Sequence, residues 1–327
     1  MPSQPNQPTR RHLLRTALSV SAAALARPAM SQSLQPGTVR LIVGFPAGGS
    51  ADVVARATAA GLTKETGQSV IVENRPGGQL VISMQALSAA PADGLTLMYM
   101  TGTYLAIQAT QRLFDVEAQS TALVNTIETP IVWVVRADSR FQSVSELVDH
   151  AKRNPGKLNF GVIGVGGIEH LKMSQIQRIA GFKGLAIPYK GGPDGVNGVI
   201  AGEIDCMLLP GIFAKTFAGK VRPLAILGDQ RWQQLPSVPT LAESGIQAPP
   251  ASYWGGWSAP AGLNPKTASE LAALLAKVSQ RPDVVATLNA TAHELRLTES
   301  PGQFRQKLRS ELAWMTEVGA SEGLIAK

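Results

Sequence analysis

The residues with the most chemical promise lie in one short stretch: Gly44, Pro46, Gly48, Gly49, Ser50 and Asp52, directly after the apolar run Val39–Val43. Glycines at this spacing leave backbone N–H groups uncovered, and the start of a following helix adds the positive end of its dipole, so the stretch suits an anion. Ser50 is the expected N-cap. Nucleotide phosphates fit poorly, because no Gly-Lys-Ser/Thr follows and Gly44, Gly48 and Gly49 do not make the dinucleotide spacing. A carboxylate fits better. The same pattern also describes a tight strand-to-helix turn that binds nothing.

Other chemistries find little support. Beyond residue 31 the histidines are His150, His170 and His293, with no His-x-x-x-His pair and no Gly-x-Ser-x-Gly elbow. No catalytic constellation, metal site or cofactor is therefore expected. Cys206 is the single cysteine, so no internal disulfide can form; within the apolar run 204–209 it reads as a structural thiol in a buried strand. His150 and His293 lie in polar surroundings and are expected to be solvated.

These residues need a scaffold, and 327 residues with 44% hydrophobic content suffice for two domains with real cores. Residues 1–31 stand apart. Arg10, Arg11 and Arg15 precede the small apolar run 17–26 and a small-x-small end at Ala29-Met30-Ser31, the parts of an export signal too short to anchor in a bilayer. The paired arginines suggest the twin-arginine route, although ordinary export signals also carry such pairs. Removing 1–31 takes away Arg10, Arg11, Arg15 and Arg27 and no acids, so the formal charge falls from +7 to +3 over 296 residues. No cluster of Lys and Arg interleaved with aromatics remains, and a nucleic-acid partner is not expected.

Strands are expected at 39–43, 69–72 and 96–100, with helices after Ser50 and over 81–90. Alternation at this interval predicts a parallel sheet covered on both faces, an α/β fold. The run 131–135 leads into a second series: a helix opened by the capping box Ser143-Val144-Ser145-Glu146, a strand at 158–160, the glycine loop 161–167 and a helix through His170, Met173 and Ile176. Strands at 185–189, 206–209 and 221–227 continue it. A helix ends near Ala201, and Thr240-Leu241-Ala242-Glu243 is a second capping box. A strand at 254–259, a helix carrying Leu271, Leu274, Leu275 and Val278, and a last helix opened by Ser300-Pro301 complete the chain.

Several segments in order resemble the Bug/TctC family, periplasmic solute-binding proteins associated with tripartite tricarboxylate transporters. They are Gly44-Phe45-Pro46-Ala47-Gly48-Gly49-Ser50-Ala51-Asp52, Glu73-Asn74-Arg75-Pro76-Gly77, Asn154-Pro155-Gly156-Lys157-Leu158-Asn159-Phe160, Pro188-Tyr189-Lys190-Gly191, Gly202-Glu203-Ile204-Asp205, Leu235-Pro236-Ser237-Val238-Pro239-Thr240, Glu243-Ser244-Gly245 and Ala259-Pro260-Ala261-Gly262. The resemblance implies a periplasmic-binding-protein-like fold with two βαβ lobes and a ligand cleft between them. Lobe 1 would be 34–135 plus 252–327 and lobe 2 would be 136–251, with crossings near 134–136 and 249–254.

It further implies that Phe45, Pro46, Ala47, Gly48, Gly49 and Ser50 grip a ligand carboxylate, that the loop with Gly164, Gly166, Gly167 and His170 forms the opposite wall, and that Asp205 lies at the floor. Asp52 would brace the loop or serve as a first-turn acid. Tyr189 and Lys190 would offer a phenol and a cation at the mouth, and His170 a cap, a packing surface or a ligand contact. Two departures stand out: Gln79-Leu80-Val81 where the family has a glycine/asparagine stretch, and Ile168-Glu169 where small hydroxyl residues are common. Glu169 would either face the cleft and repel a second carboxylate or point to solvent at a helix start, the reading we favour. The implied function is capture of a small carboxylate, an organic acid or an amino acid, by a periplasmic monomer that delivers it to membrane transporter subunits. A receptor for a sensor kinase and a secreted enzyme using the same cleft are the alternatives.

Overall fold

Ten strands form among the described residues, most of them branched aliphatic runs. They are β1 (Val39–Val43), β2 (Val70–Asn74), β3 (Thr96–Thr101), β4 (Ser120–Arg136), β5 (Leu158–Ile163), β6 (Gly184–Tyr189), β7 (Cys206–Pro210), β8 (Val221–Ile226), β9 (Ser252–Pro260) and β10 (Glu294–Leu295). The helices between and after them are α1 (Ser50–Thr66), α2 (Val81–Ser88), α3 (Gly102–Gln111), α4 (Val116–Gln119), α5 (Val144–Arg153), α6 (Ile168–Ala180), α7 (Gly192–Ala201), α8 (Gly211–Thr216), α9 (Pro265–Ser279), α10 (Pro282–Ala290) and α11 (Pro301–Ser321). This computed structural model describes residues 35–249, 251–291 and 293–326, and the expected export signal lies outside them. Among the described residues no helix is long and apolar enough to cross a membrane.

Two parallel sets face each other across a pair of antiparallel strands. In the first set β1 lies between β2 and β3; in the second β5 lies between β6 and β7. β9 joins β3 to β4, and β4 joins β7, giving the order β2-β1-β3-β9-β4-β7-β5-β6. Up to Pro130, β4 pairs with β9 and β10; from Ile131 it pairs with β7 and β8. The core divides at the same place. One cluster holds β1, β3, Trp257 and the apolar faces of α1, α9 and α11. Beyond Pro130, Ile131, Trp133 and Val135 point into a second cluster, and Val132 and Val134 into a third on the other face. This period of two with both faces buried explains why 131–135 reads as a continuous apolar run.

Three expectations are refined. The run 131–135 is the end of a strand of 17 residues whose earlier part was invisible because it is polar. Asn125 and Thr126 are buried there, and Asn125 Nδ2 donates to Arg296 O (2.6 Å) and Thr126 Oγ1 to Gly255 O (3.2 Å). The change of partner on β4 therefore falls at Pro130, upstream of the expected crossing at 134–136. Thr240 and Glu243 do exchange both bonds of a capping box (3.1 and 2.7 Å), but only a turn follows, closed by Gly245 in the left-handed region.

β4 carries two register shifts opposite β9, between Ala122 and Val124 and between Asn125 and Ile127, where β9 offers Gly255 and Gly256. A Cβ on Gly256 would lie 2.6 Å from Val124 O and 2.9 Å from Asn125 Cα, backbone atoms that cannot swing aside. Gly256→Ala should therefore lower stability by about 1–3 kcal/mol, read as a reduced thermal midpoint. An unchanged midpoint would mean that β4 and β9 are not in this close contact.

Candidate ligand-binding cleft

The carboxyl ends of β1, β2, β3, β5 and β6 meet, and the segments leaving them enclose a cleft of about 570 Å³. One side is built from Phe45 and Pro46 after β1, residues 76–80 after β2, and Thr103 and Ile107 on α3. The other is built from residues 163–165 and 188–190. Phe45, Pro46, Thr103 and Ile163 also line a narrow pocket of about 20 Å³, closed by Gly49, Ser50 and Ala51 of the first loop and by Gly192, Pro193, Phe213 and Tyr253. Helices α1, α3 and α7 all begin at this pocket, so three positive helix ends converge there.

The first loop is held from below. Gly49, not Ser50, is the N-cap of α1; Ser50 is the first helical residue, and its Oγ lies 2.7 Å from His293 Nε2. His293, expected to be solvated, is fully buried, with Nδ1 3.0 Å from Thr291 Oγ1. Burial pushes its pKa down to about 4. Asp52 is a brace: Oδ2 accepts from Gly48 N and Arg56 Nε (both 2.9 Å), and Oδ1 from Asn74 Nδ2 (3.0 Å). Burial alone would raise its pKa, but the donors Arg56, Gly48 and Asn74 outweigh it and hold the carboxyl below its ordinary value. Asn74 Nδ2 also donates to Phe45 O (3.1 Å), tying the second loop to the first. Ala47 and Gly48 are exposed at the outer turn and line neither cavity, so of the expected grip only Phe45, Pro46, Gly49 and Ser50 reach the enclosed space.

The second loop contains a strained element. Gln79 (φ 51°) and Leu80 (φ 71°) both occupy the left-handed region, where Leu is rare. A buried relay fixes them: Ser83 Oγ donates to Leu80 O (2.8 Å) and lies 2.8 Å from Tyr104 Oη. Gly44 makes room for it. A Cβ there would lie 2.6 Å from Ser83 Oγ and collide with Tyr104 Oη.

On the opposite side the expected residues separate. Gly164 lines the cleft, whereas Gly166 and Gly167 are buried behind it. Gly166 N donates to His170 Nδ1 (3.0 Å), and Gly166 O accepts from Thr110 Oγ1 of α3 (3.1 Å); His170 thus holds the loop from outside the cleft. Lys190 is exposed at the rim, and Tyr189 lines the wall with its phenol donating to Glu203 Oε2 (3.2 Å). Asp205 precedes β7 at the end of the sheet opposite these loops, where Oδ2 accepts from Asn159 N (2.8 Å), so it does not join the floor. Its partner is the backbone of β5.

Glu169 does not point to solvent. It is 1% exposed, Oε2 has no hydrogen-bond partner, and burial pushes its pKa up to about 7, with Tyr253 within electrostatic reach. The neighbouring Ile168 and Leu171 belong to the first core, which turns this face of α6 inward. Sequence reasoning missed Thr103, Ile107, Tyr253 and Phe213. A signal for the first existed in Thr101-Gly102-Thr103, small polar residues where a strand passes directly into a helix.

A cleft at the carboxyl ends of two parallel sets, joined by antiparallel crossing strands, defines a two-lobed binding protein of the periplasmic type. Residues 54–313 match the family model of the tripartite tricarboxylate transporter family receptor, TctC, and the chain belongs to that family. Protein BugT of Bordetella pertussis is 33% identical over 258 residues, 76% of this chain and 78% of that protein. The UPF0065 protein in the gbd 5' region of Cupriavidus necator is 32% identical over 282 residues, 84% of this chain and 86% of that protein. Among solved structures, R. palustris Rpa4515 with adipate superposes with a TM-score of 0.82 at 27% identity, covering 88% of this chain and 98% of that one.

His293 and Glu169 couple stability to pH in opposite directions. His293 falls from 6.5 to about 4 on folding, so between those values the unfolded chain binds the extra proton and stability declines on acidification. Glu169 rises from 4.5 to about 7, so the folded chain binds the extra proton and stability declines as pH rises. Each is worth about 3 kcal/mol over its window. They should largely cancel between pH 4.5 and 6.5. Urea midpoints of Glu169→Gln should therefore fall more steeply on acidification than those of the parent, and midpoints of His293→Gln should fall more steeply toward pH 7. Parallel pH profiles for all three proteins would contradict the assignment.

Proposed function

We propose that this chain is a periplasmic receptor that binds a small carboxylate between its lobes and delivers it to the membrane subunits of a tripartite tricarboxylate-type transporter. The observation that carries this reading is the convergence of the first-loop residues Phe45, Pro46, Gly49 and Ser50 with the starts of α3 and α7 around one enclosed space. Backbone N–H groups at helix starts favour an anion without a fixed cation, and the adipate in the related Rpa4515 structure is such an anion. Residues 1–31 serve as the export signal.

The lobes meet where β4 changes partners and where β9 begins. Ligand contacts from Gly49 and Ser50 on one lobe and Gly164, Gly192 and Pro193 on the other exist together only in the closed state, so binding shifts the population toward closure. In this reading the acid is released unchanged.

The test is thermal unfolding of the mature protein, stripped of ligand by unfolding and refolding, with succinate, adipate, hexanoate, benzoate and glutamate. An acid at a hundred times its Kd should add about 2.7 kcal/mol, and it should be recovered intact. A cooperative melt that no acid shifts would overturn the receptor reading.

A further inference from the structure

The larger cleft is lined mainly by apolar side chains and glycines. Its walls include Phe45, Leu80, Ile107, Ile163, Val165 and three prolines, beside the polar Gln79 and Tyr189. Among the described lining residues the only charged side chain is Lys190, exposed at the rim. Val165 is 42% exposed, an apolar group left facing the opening. Leu80 is held in a left-handed conformation by the Ser83–Tyr104 relay, so the apolar wall is fixed in place and is not a mobile side chain that happens to fall there.

The polar end is different and small. Thr103 lines both cavities, is 2% exposed, and its Oγ1 makes no hydrogen bond within the protein. It sits in the first turn of α3, a helix of 10 residues whose N-cap, Thr101, makes no side-chain capping bond. The first-turn amides and the Thr103 hydroxyl are thus available together at the corner where α1 and α7 also begin. A buried hydroxyl without a partner is disfavoured unless a ligand supplies one.

We propose, resting on the receptor reading above, that the ligand is a monocarboxylate with an apolar body, aromatic or medium-chain aliphatic. Its carboxylate accepts hydrogen bonds at the Thr103 corner and its body lies against Leu80, Ile107, Ile163 and Val165. A second carboxylate placed against Leu80, Ile107, Ile163 and Val165 would lose its hydration and gain no side-chain donor from them. The Leu80 wall therefore selects against diacids.

Titration calorimetry on the ligand-stripped mature protein with benzoate, hexanoate, succinate and adipate tests this. Benzoate or hexanoate should bind at least tenfold tighter than either diacid. Thr103→Val should weaken that acid at least tenfold with the thermal midpoint of the unliganded protein unchanged. Leu80→Asn, which keeps a residue tolerant of the left-handed turn and removes the apolar wall, should move the ratio toward adipate at least tenfold. Diacids binding as tightly as the monoacids, or undiminished affinity in Thr103→Val, would overturn the proposed ligand class and leave the receptor reading intact. Failure of all four acids to bind, with glutamate also leaving the melt unshifted, would overturn both.

Discussion

Both halves of this protein hang on one strand. β4 donates its first part to the sheet of β9 and β10 and its last part to that of β7 and β8, and the change falls at Pro130, a residue with no N–H to give to a ladder. Where the ladder loses a donor the strand can leave one partner and take another at little expense. Everything downstream depends on this junction. Because the parallel sets on either side run their carboxyl ends toward a common space, the loops that follow β1, β2, β3, β5 and β6 face one another across it.

The loops are supported by groups that never touch the enclosed space. Asp52 joins the turn at Gly48 to Arg56 and Asn74, and Asn74 in turn holds Phe45. The Ser83–Tyr104 pair holds Leu80, and Gly44 has no side chain so that this pair can sit where a Cβ would be. A flexible glycine loop would lose conformational entropy on gripping a ligand; a braced one has lost it already on folding. The same compactness buries His293 beneath α1 and Glu169 at the start of α6, two titratable groups whose opposed shifts are driven by desolvation, partly offset at Glu169 by a backbone hydrogen bond.

Much of this was legible in the sequence, and the failures have a physical pattern. Apolar runs buried on both faces, such as 39–43, 131–135 and 206–209, announced their strands because nothing polar interrupts them. The first part of β4 stayed hidden because Asn125, Thr126 and Thr129 are polar residues buried inside the protein, which a hydropathy pattern cannot distinguish from an exposed loop. His293 and Glu169 were misplaced for the same reason. Asp205 was read correctly as a carboxylate that needs partners, but strand direction decides which end of a sheet it occupies, and direction emerges only from the full topology. The loop glycines were recognisable, whereas Thr103 depended on α3 starting with no loop after β3.

The most direct measurement of the central claim, an acid held between lobes that pivot on β4, is a distance across the cleft. Nitroxide labels on Ala60 of α1 and on Lys157 before β5 are exposed and lie on opposite sides of the partner change. Double electron–electron resonance on the stripped protein should give a broad distribution that narrows and shortens at a saturating concentration of an acid that binds. A distribution unchanged by a bound acid would mean that the ligand does not bridge the lobes, and the account given for the cleft would fall with it.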